Sequence, residues 1–442
     1  MINFFAHIKD NALRYPHKTA IVSGDEKCSW EELYQQVEKR AKELKAASYK
    51  NGQVVCMRAM PTIDYLVDYF AFHLVGCVVA PLERDMPDEK FYQTRQWLEP
   101  QQVGKGASDI LYTTGTTGQS KGVIISHQAI LADAENLIES QGFSHETVFV
   151  INGPLNHIGS LSKIYPIILQ GGTIIIVDGL KNLDAFFNAF DYPSDKMATF
   201  LVPASIRILI QLGAAWLAKI AHKIDFIETG AAAIAQADMQ KLCQLLPHTR
   251  LYNTYASTET GIVCTHNFNS SLCEAGCLGK PMKHAEVFIT DEGKIACRGK
   301  QIMTGYVGDP KRTAQILRNH TIYTADIGTI DEEGRLHLKG REDDVINVGG
   351  FKVSPLEVEN ATLSLPMVKD CICTSMPHPI TGQALKLLIV TENNQILDKK
   401  AIATHLLTKL EPYKVPQFYE QTDKIKRTFN GKADRKHYRI ES

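Results

Sequence analysis

Along the first third of the chain the apolar positions switch between a helical period and short strand-like runs. Leu33, Val37 and Leu44 share one helical face, and Ser29 with Glu32 precedes them at capping-box spacing. Residues 54–57 read as a strand, 62–74 as a helix and 77–81 as another strand. The alternation continues through a strand at 173–177 and a helix at 235–246. Strand, helix, strand in this order predicts right-handed crossovers and mainly parallel sheets. From 285 to 338 the pattern changes to short strands between glycine turns, Asp291-Glu-Gly293 and Asp331-Glu-Glu-Gly334. That pattern predicts a small antiparallel or barrel-like β unit. A charged run, Lys339-Gly-Arg-Glu-Asp-Asp344, reads as a linker, so residues 1–340 form a large domain and 341–442 a small one. In the small domain, Ser354-Pro355-Leu356-Glu357 offers a serine cap, a proline at the first helical position and a glutamate for a capping box. A second helix is expected at 399–410. The expected class is α/β, with a smaller α+β domain at the C-terminal end.

Composition narrows the functional classes. The chain has 442 residues, 44% of them hydrophobic, enough for two or more packed units. A net charge of −1 gives no broad attraction to nucleic acid or an anionic membrane, so any phosphate must be held by local groups. No apolar run approaches the roughly 20 residues of a membrane span. The start, Met-Ile-Asn-Phe-Phe-Ala-His, lacks the basic stretch and long apolar core of a secretory signal, and a cytoplasmic protein is expected. Ten cysteines are scattered; neither the trio Cys264, Cys273 and Cys277 nor the pair Cys371 and Cys373 has zinc spacing. Reduced, buried or half-buried thiols are expected.

The densest chemistry lies between Asp109 and His127. A short strand at 110–112 opens into Thr113, Thr114, Gly115, Thr116, Thr117, Gly118, Gln119, Ser120, Lys121 and Gly122, and a second apolar run at 123–125 closes it. Glycines let backbone approach a ligand, hydroxyls and amides donate hydrogen bonds, and Lys121 adds a positive charge. The combination suits a polyphosphate; the alternative is a Thr/Gly-rich surface loop. The spacing is not that of a Walker A loop, because Ser120 stands where its second glycine would be. Nor is it a dinucleotide fingerprint, because Thr116 and Thr117 follow Gly115.

This loop resembles the phosphate-binding signature of the adenylate-forming enzymes: acyl- and aryl-CoA synthetases, peptide-synthetase adenylation domains and luciferases. The resemblance recurs in order from about Val54 to Lys432. Asn253-Thr-Tyr-Ala-Ser-Thr-Glu-Thr-Gly261 is similar to the family's aromatic-Gly-x-Thr-Glu motif, with Ala256 in place of glycine. The match implies Tyr255 at the aromatic position, Thr258 on phosphate and Glu259 as the Mg²⁺ ligand. Tyr323-Thr-Ala-Asp-Ile-Gly328 resembles the ribose-binding motif, with Ala325 for glycine, and implies Asp326 and then Arg341 as ribose contacts. Glu228-Thr-Gly-Ala-Ala232 resembles the loop that contacts adenine and lines the acyl site, implying Gly230, Ala231 and Ala232 there. Gly340 to Glu359 is the longest match and implies a pivot at Asp343, with Gly349 and Gly350 along the tunnel for the pantetheine arm. Arg427-Thr-Phe-Asn-Gly-Lys-Ala-Asp-Arg435 resembles the motif that carries the catalytic lysine, here Lys432; Lys426 and Phe429 replace commoner prolines.

Asn152-Gly-Pro-Leu-Asn-His-Ile-Gly159 bears on the substrate. It resembles the Pro-Leu-x-His-x-x-Gly of acyl- and aryl-CoA synthetases, with His157 at the acyl site, rather than the Phe-Asp of amino-acid-activating relatives. An amino acid would bury an unpaired ammonium there. The resemblance thus implies an acid–CoA ligase that uses ATP, Mg²⁺ and CoA on a small carboxylic acid, with a small domain that moves between half-reactions. Transfer to a carrier protein's phosphopantetheine thiol stays open, as does a non-catalytic ligand-binding homologue, because the Ala256 and Ala325 replacements depart from the motifs.

Overall fold

A computed structural model describes residues 4–113, 121–270, 272–428 and 433–438. The helix Trp30–Ala46 starts where the sequence signals it. Ser29 Oγ accepts the amide of Glu32, and Glu32 Oε2 accepts the amide of Ser29 at 2.7 Å, a complete capping box. Its apolar stripe, Trp30, Leu33, Val37, Ala41 and Leu44, is buried. The next helix, Ile63–Val75, is capped by Thr62 and ends at Gly76, whose φ of 90° closes the last turn in the left-handed region.

Two sheets organise most of the chain. The longer one carries a parallel run in the order Thr173–Ile176, Val148–Ile151, Met197–Leu201, Ile224–Thr229 and Arg250–Ser257. The chain then reverses into antiparallel Gly261–Asn267 and Cys277–Pro281. The expected antiparallel unit continues this sheet through Leu336–Arg341, Thr321–Ile330, Lys294–Gly299 and Ala285–Ile289. The second sheet holds Val54–Arg58, Val78–Leu82, Ala107–Thr113, Lys121–Ser126 and Gly305–Tyr306 in spatial order. Buried side chains from both sheets and the helices between them, among them Tyr69, Phe70, Leu111, Ile125, Phe149 and Leu161, form one core. A residue buried on both faces of a parallel strand explains runs such as Ile174, Ile175 and Ile176.

Residues beyond Val345 build a third sheet from Ile346–Val348, Phe351–Val353, Val368–His378, Gly382–Thr391 and Phe418–Gln421. With helices Pro355–Leu363 and Lys399–Leu407 it encloses its own core around Val353, Val358, Leu387, Ile389, Ile402 and Leu406. Two local expectations change. Proline does open the helix at 355, but the capping box is absent: Ser354 Oγ donates to the Lys339 carbonyl, and Glu357 pairs with Lys414 at 2.8 Å. A lysine partner and a carbonyl outcompeted the local box. The charged run at 339–344 begins inside the strand Leu336–Arg341 and ends in the one-turn helix Glu342–Asp344.

One polar cluster joins this third sheet to the larger part. Arg207, on the helix Pro203–Leu212, binds Asp238 at 2.8 Å and Asp370 at 2.7 Å. The other oxygen of Asp370 accepts from Arg427 at 2.6 Å. All ten cysteines are free and buried or half-buried, as expected. Among the described residues no single helix is long and apolar enough to cross a membrane.

Candidate active site

The C-terminal ends of the parallel strands 197–201, 224–229 and 250–257 open on one side onto a cavity of about 200 Å³. Such strand ends are where open α/β sheets bind ligands. Its lining includes Thr113 and Lys121, on the two strands that flank the Thr/Gly loop, with Thr258, Glu259 and Arg341. The loop residues Thr114, Gly115, Thr116, Thr117 and Gly118 lie outside the described residues, as does Lys432.

Glu259 is held from two directions. Its carbonyl accepts the amide of Met303, and its Oε1 accepts the hydroxyl of Tyr306 at 2.9 Å. Burial and the adjacent Glu259 carboxylate push the Tyr306 phenol up, so it stays a donor. The Lys121 ammonium lies 5.3 Å from the Tyr306 ring centre. Burial lowers the Lys121 pKa, and the nearby Arg312 guanidinium lowers it further. Two half-buried cations near one another are suited to an anion carrying several charges. Glu259 offers one carboxylate at this spot. That donor set fits Mg²⁺, which takes one or two carboxylates and completes its shell with phosphate oxygens and water.

Asp326 lies one step behind. Its Oδ2 accepts the Tyr255 hydroxyl at 2.7 Å, and its Oδ1 is 3.2 Å from Arg341. Burial first, and then the Asp326 charge, raise the Tyr255 phenol well above its ordinary value. Tyr255 itself is buried among Val263, Cys264, Ile295 and Cys297, and Arg341 alone of this trio lines the cavity. Gly230 and Ala231 line it too, whereas Ala232 follows just outside the lining. A Cβ on Gly230 would sit 2.8 Å from the Thr254 carbonyl oxygen, so this position admits no side chain without movement. Ala231 has φ 65°, an unusual left-handed value for a residue with a Cβ and the kind of local strain found at functional sites. Ala256, where the resembling motif has glycine, lines the same space.

His157 caps the helix Ile158–Gln170, its Nδ1 accepting the Gly159 amide at 3.4 Å. It lines both this cavity and a second of about 660 Å³, which also holds Lys121, Trp97, Tyr112, Tyr306 and Arg312. Gly349 and Gly350 occupy the tight turn between Ile346–Val348 and Phe351–Val353 with φ of 59° and 97°, and line neither cavity. Asp343 sits in the one-turn helix Glu342–Asp344, 3.9 Å from Arg341.

Sequence reasoning missed the residues at the cavity's other wall. Lys163, on the helix that His157 caps, is 2% exposed and pairs with Glu228, 1% exposed, at 2.8 Å. Its ammonium is 5.4 Å from the Phe200 ring centre. Nearby Asp133 accepts the Ile262 amide at 2.7 Å, and burial pushes its carboxyl up to about 8. The available signal was a lone lysine inside an otherwise apolar helix, Ile158-Gly-Ser-Leu-Ser-Lys-Ile-Tyr-Pro-Ile-Ile-Leu-Gln170. Tyr306 had no comparable signal, because its role depends on a pairing between distant strands.

Comparison with known proteins places this geometry among relatives. The AMP-binding enzyme family matches residues 8–96 and 93–307, and the AMP-binding enzyme C-terminal domain matches residues 357–432. A feruloyl-CoA synthase of Amycolatopsis sp is 25% identical over 472 residues, covering 94% of each chain. A 2-succinylbenzoate–CoA ligase of Staphylococcus epidermidis is 29% identical over 344 residues, covering 76% of this chain and 70% of the relative. The crystal structure of ATP-bound MatB from Rhodopseudomonas palustris superimposes with a TM-score of 0.88 at 21% identity, over 99% of this chain and 98% of that one.

Proposed function

The chain belongs to the AMP-binding enzyme family, and on that premise we propose that it is an AMP-forming acid–CoA ligase whose site is the 200 Å³ cavity. In the first step a carboxylate oxygen of the acid attacks the α-phosphorus of ATP. The bond to the β-phosphate oxygen breaks, and pyrophosphate leaves with the electron pair. In the second step the CoA thiol attacks the acyl carbon and gives up its proton. The acyl–oxygen bond breaks, AMP leaves, and the thioester remains.

Two difficulties would be met by residues of this chain. A carboxylate must approach a polyanion, and Lys121 and Arg312 reduce that repulsion. Negative charge grows on the departing pyrophosphate, and preplaced donors stabilise it without reorganising. Thr113, Thr258 and the Thr/Gly loop would supply such donors. Bound Mg²⁺ would add charge neutralisation there, with Glu259 as its protein ligand, fixed by the Tyr306 hydroxyl. The ribose hydroxyls would meet Asp326 and Arg341, and the adenine the backbone of Gly230, Ala231 and Ala232. Lys432 would bridge the acid and the α-phosphate, holding two anions in line. His157 would border the carboxyl end of the acid. Asn156 and His157 supply no anion for an α-ammonium, which favours acids uncharged at that position. Asp343 would be the pivot between a large domain, 1–340, and a small one, 341–442, bringing Gly349 and Gly350 to the thiol path in the second step.

The observation that carries this reading is the meeting of Lys121, Thr258 and Glu259 with the acyl-sized space beside His157 in a single cavity. The test is to incubate the protein with MgATP and a panel of aryl and aliphatic acids, with and without CoA. Pyrophosphate should appear with the right acid alone, and AMP and thioester on adding CoA. No pyrophosphate with any acid would refute the ligase reading.

A further inference from the structure

The acyl side of the cavity ends in unmet polar groups. Lys163 and Glu228 are paired through Glu228 Oε1 only; Glu228 Oε2 is buried with no hydrogen-bond partner among the described residues. The hydroxyls of Ser162, one residue before Lys163, and Thr229, one after Glu228, are likewise buried without partners. Ser162, Lys163 and Glu228 all line the cavity, whereas Thr229 lies outside the lining. Buried polar groups are satisfied almost everywhere in folded proteins, and a group of unmet ones facing a cavity marks the place of a ligand.

The chemistry of that ligand follows from the pair. Glu228 Oε2 can only accept, so it calls for a donor. The Lys163 ammonium has three N–H bonds and spends one on Glu228, so it calls for an acceptor. A hydroxyl is both. A carboxylate would satisfy Lys163 and face the Glu228 oxygen with like charge. An ammonium would satisfy Glu228 and face Lys163. A methyl would leave both unmet. Burial pushes the neighbouring Asp133 carboxyl up to about 8, toward its neutral form. Position sets the reach: Lys163 is six residues beyond His157 on one helix, about 9 Å along its axis.

We propose that the acid this chain activates carries a neutral hydroxyl at the end remote from its carboxyl group, and that Glu228 and Lys163 read that hydroxyl. This rests on the ligase reading above and specifies its substrate class. Both residues act on specificity, away from the reacting atoms.

The test compares matched acids in pyrophosphate release by the wild-type protein: para-hydroxybenzoate against benzoate and adipate's half-reduced relative, 6-hydroxyhexanoate, against hexanoate and adipate. The hydroxy acid of at least one set should have a kcat/KM at least about tenfold above every competitor in its set, because a site with unmet polar groups rejects analogues that leave them so. In a second protein both members of the pair are replaced, Lys163→Met with Glu228→Leu, so that no lone buried charge remains. A thermal melt checks its fold. That variant should lose the hydroxyl preference and favour benzoate or hexanoate. Equal use of hydroxylated and plain acids by the wild type, or a preference for adipate, would overturn the hydroxyl assignment and leave acid activation standing. An unchanged hydroxyl preference in the folded double variant would also overturn it. Absence of pyrophosphate with every acid would remove this inference together with the ligase reading.

Discussion

Replacing Gly230 by alanine places a methyl carbon 2.8 Å from the carbonyl oxygen of Thr254. Carbon–oxygen contacts of this kind settle at about 3.3–3.6 Å, so one of the two backbones must retreat by about half an ångström. Neither can do so freely, because residues 224–229 and 250–257 are paired strands of the parallel run. Overpacking of this order costs about 1–3 kcal/mol, which lowers the melting temperature by a few degrees at most in a protein of this size. The larger effect should be on rate. Thr254 lies two residues before Ala256 and four before Thr258, so its displacement carries into the phosphate-facing segment. A 1 Å misplacement can cost about a hundredfold in rate, so half of that suggests about tenfold in kcat for pyrophosphate release. The neighbouring change, Ala231→Gly, is the control. Relieving a left-handed alanine gains about 1 kcal/mol, and glycine's extra unfolded-state freedom takes back about 0.5–1 kcal/mol. Its stability should therefore stay within about 0.5 kcal/mol of the wild type. Steady-state kinetics and calorimetry on both variants decide the matter. If Gly230→Ala is silent, or if both variants lose equal stability, the close approach to Thr254 is not a rigid constraint.

Four further outcomes are expected. Glu259→Gln should raise the Mg²⁺ concentration needed for half-maximal pyrophosphate release while circular dichroism stays unchanged; an unaltered Mg²⁺ dependence would sink its role as ligand. Lys432→Ala should lose adenylate formation yet still convert a supplied acyl-adenylate and CoA to thioester, and equal loss of both steps in a folded protein contradicts the assignment. Asp343→Pro, which fixes φ in the Glu342–Asp344 turn, should retain pyrophosphate release and lose thioester formation; a normal thioester rate places the pivot elsewhere. The Asp133 carboxyl has a folded-state pKa raised to about 8, above its unfolded value, so the folded chain retains that proton and stability falls as pH climbs from the ordinary carboxylate range toward 8. Asp133→Asn, which keeps an acceptor for the Ile262 amide, should flatten that slope in denaturant titrations across the window; an identical slope in the variant rules the carboxyl out as its source.

What the sequence made legible follows from how local each signal was. The helix Trp30–Ala46 announced itself through a serine and a glutamate three residues apart and a stripe of apolar residues, all within one segment. The parallel sheet was readable because continuous isoleucine and valine runs alternate with amphipathic ones. Ser354 shows the limit: the same capping letters went unused because the Lys339 carbonyl, fifteen residues earlier, offered the serine a better-placed partner. At the candidate site, Lys121, His157, Thr258 and Glu259 were found as motifs and do share one cavity. Tyr306 was invisible, since its bond to Glu259 spans forty-seven residues and depends on the register of a two-residue strand. Glu228 was read as the start of a loop; that it is half of a buried ion pair depends on which face of a helix Lys163 occupies.

The shared carboxylate of Asp370 bears on the domain movement proposed above. Buried charges usually resist separation because each is left alone. Here the severed bond would be Arg207 to Asp370, and each side has a second partner already in place. Arg207 keeps Asp238, on its own side of the contact, and Asp370 keeps Arg427, on the other. On the domain movement proposed above, the contact would act as a latch whose two halves are each electrically complete. It can define one docking position sharply, through a 2.7 Å bond of fixed geometry, and still let go without stranding an ion. Because its strength is coulombic and its groups are partly open to water, its hold should weaken as ionic strength rises, giving an experimenter a simple handle on that release.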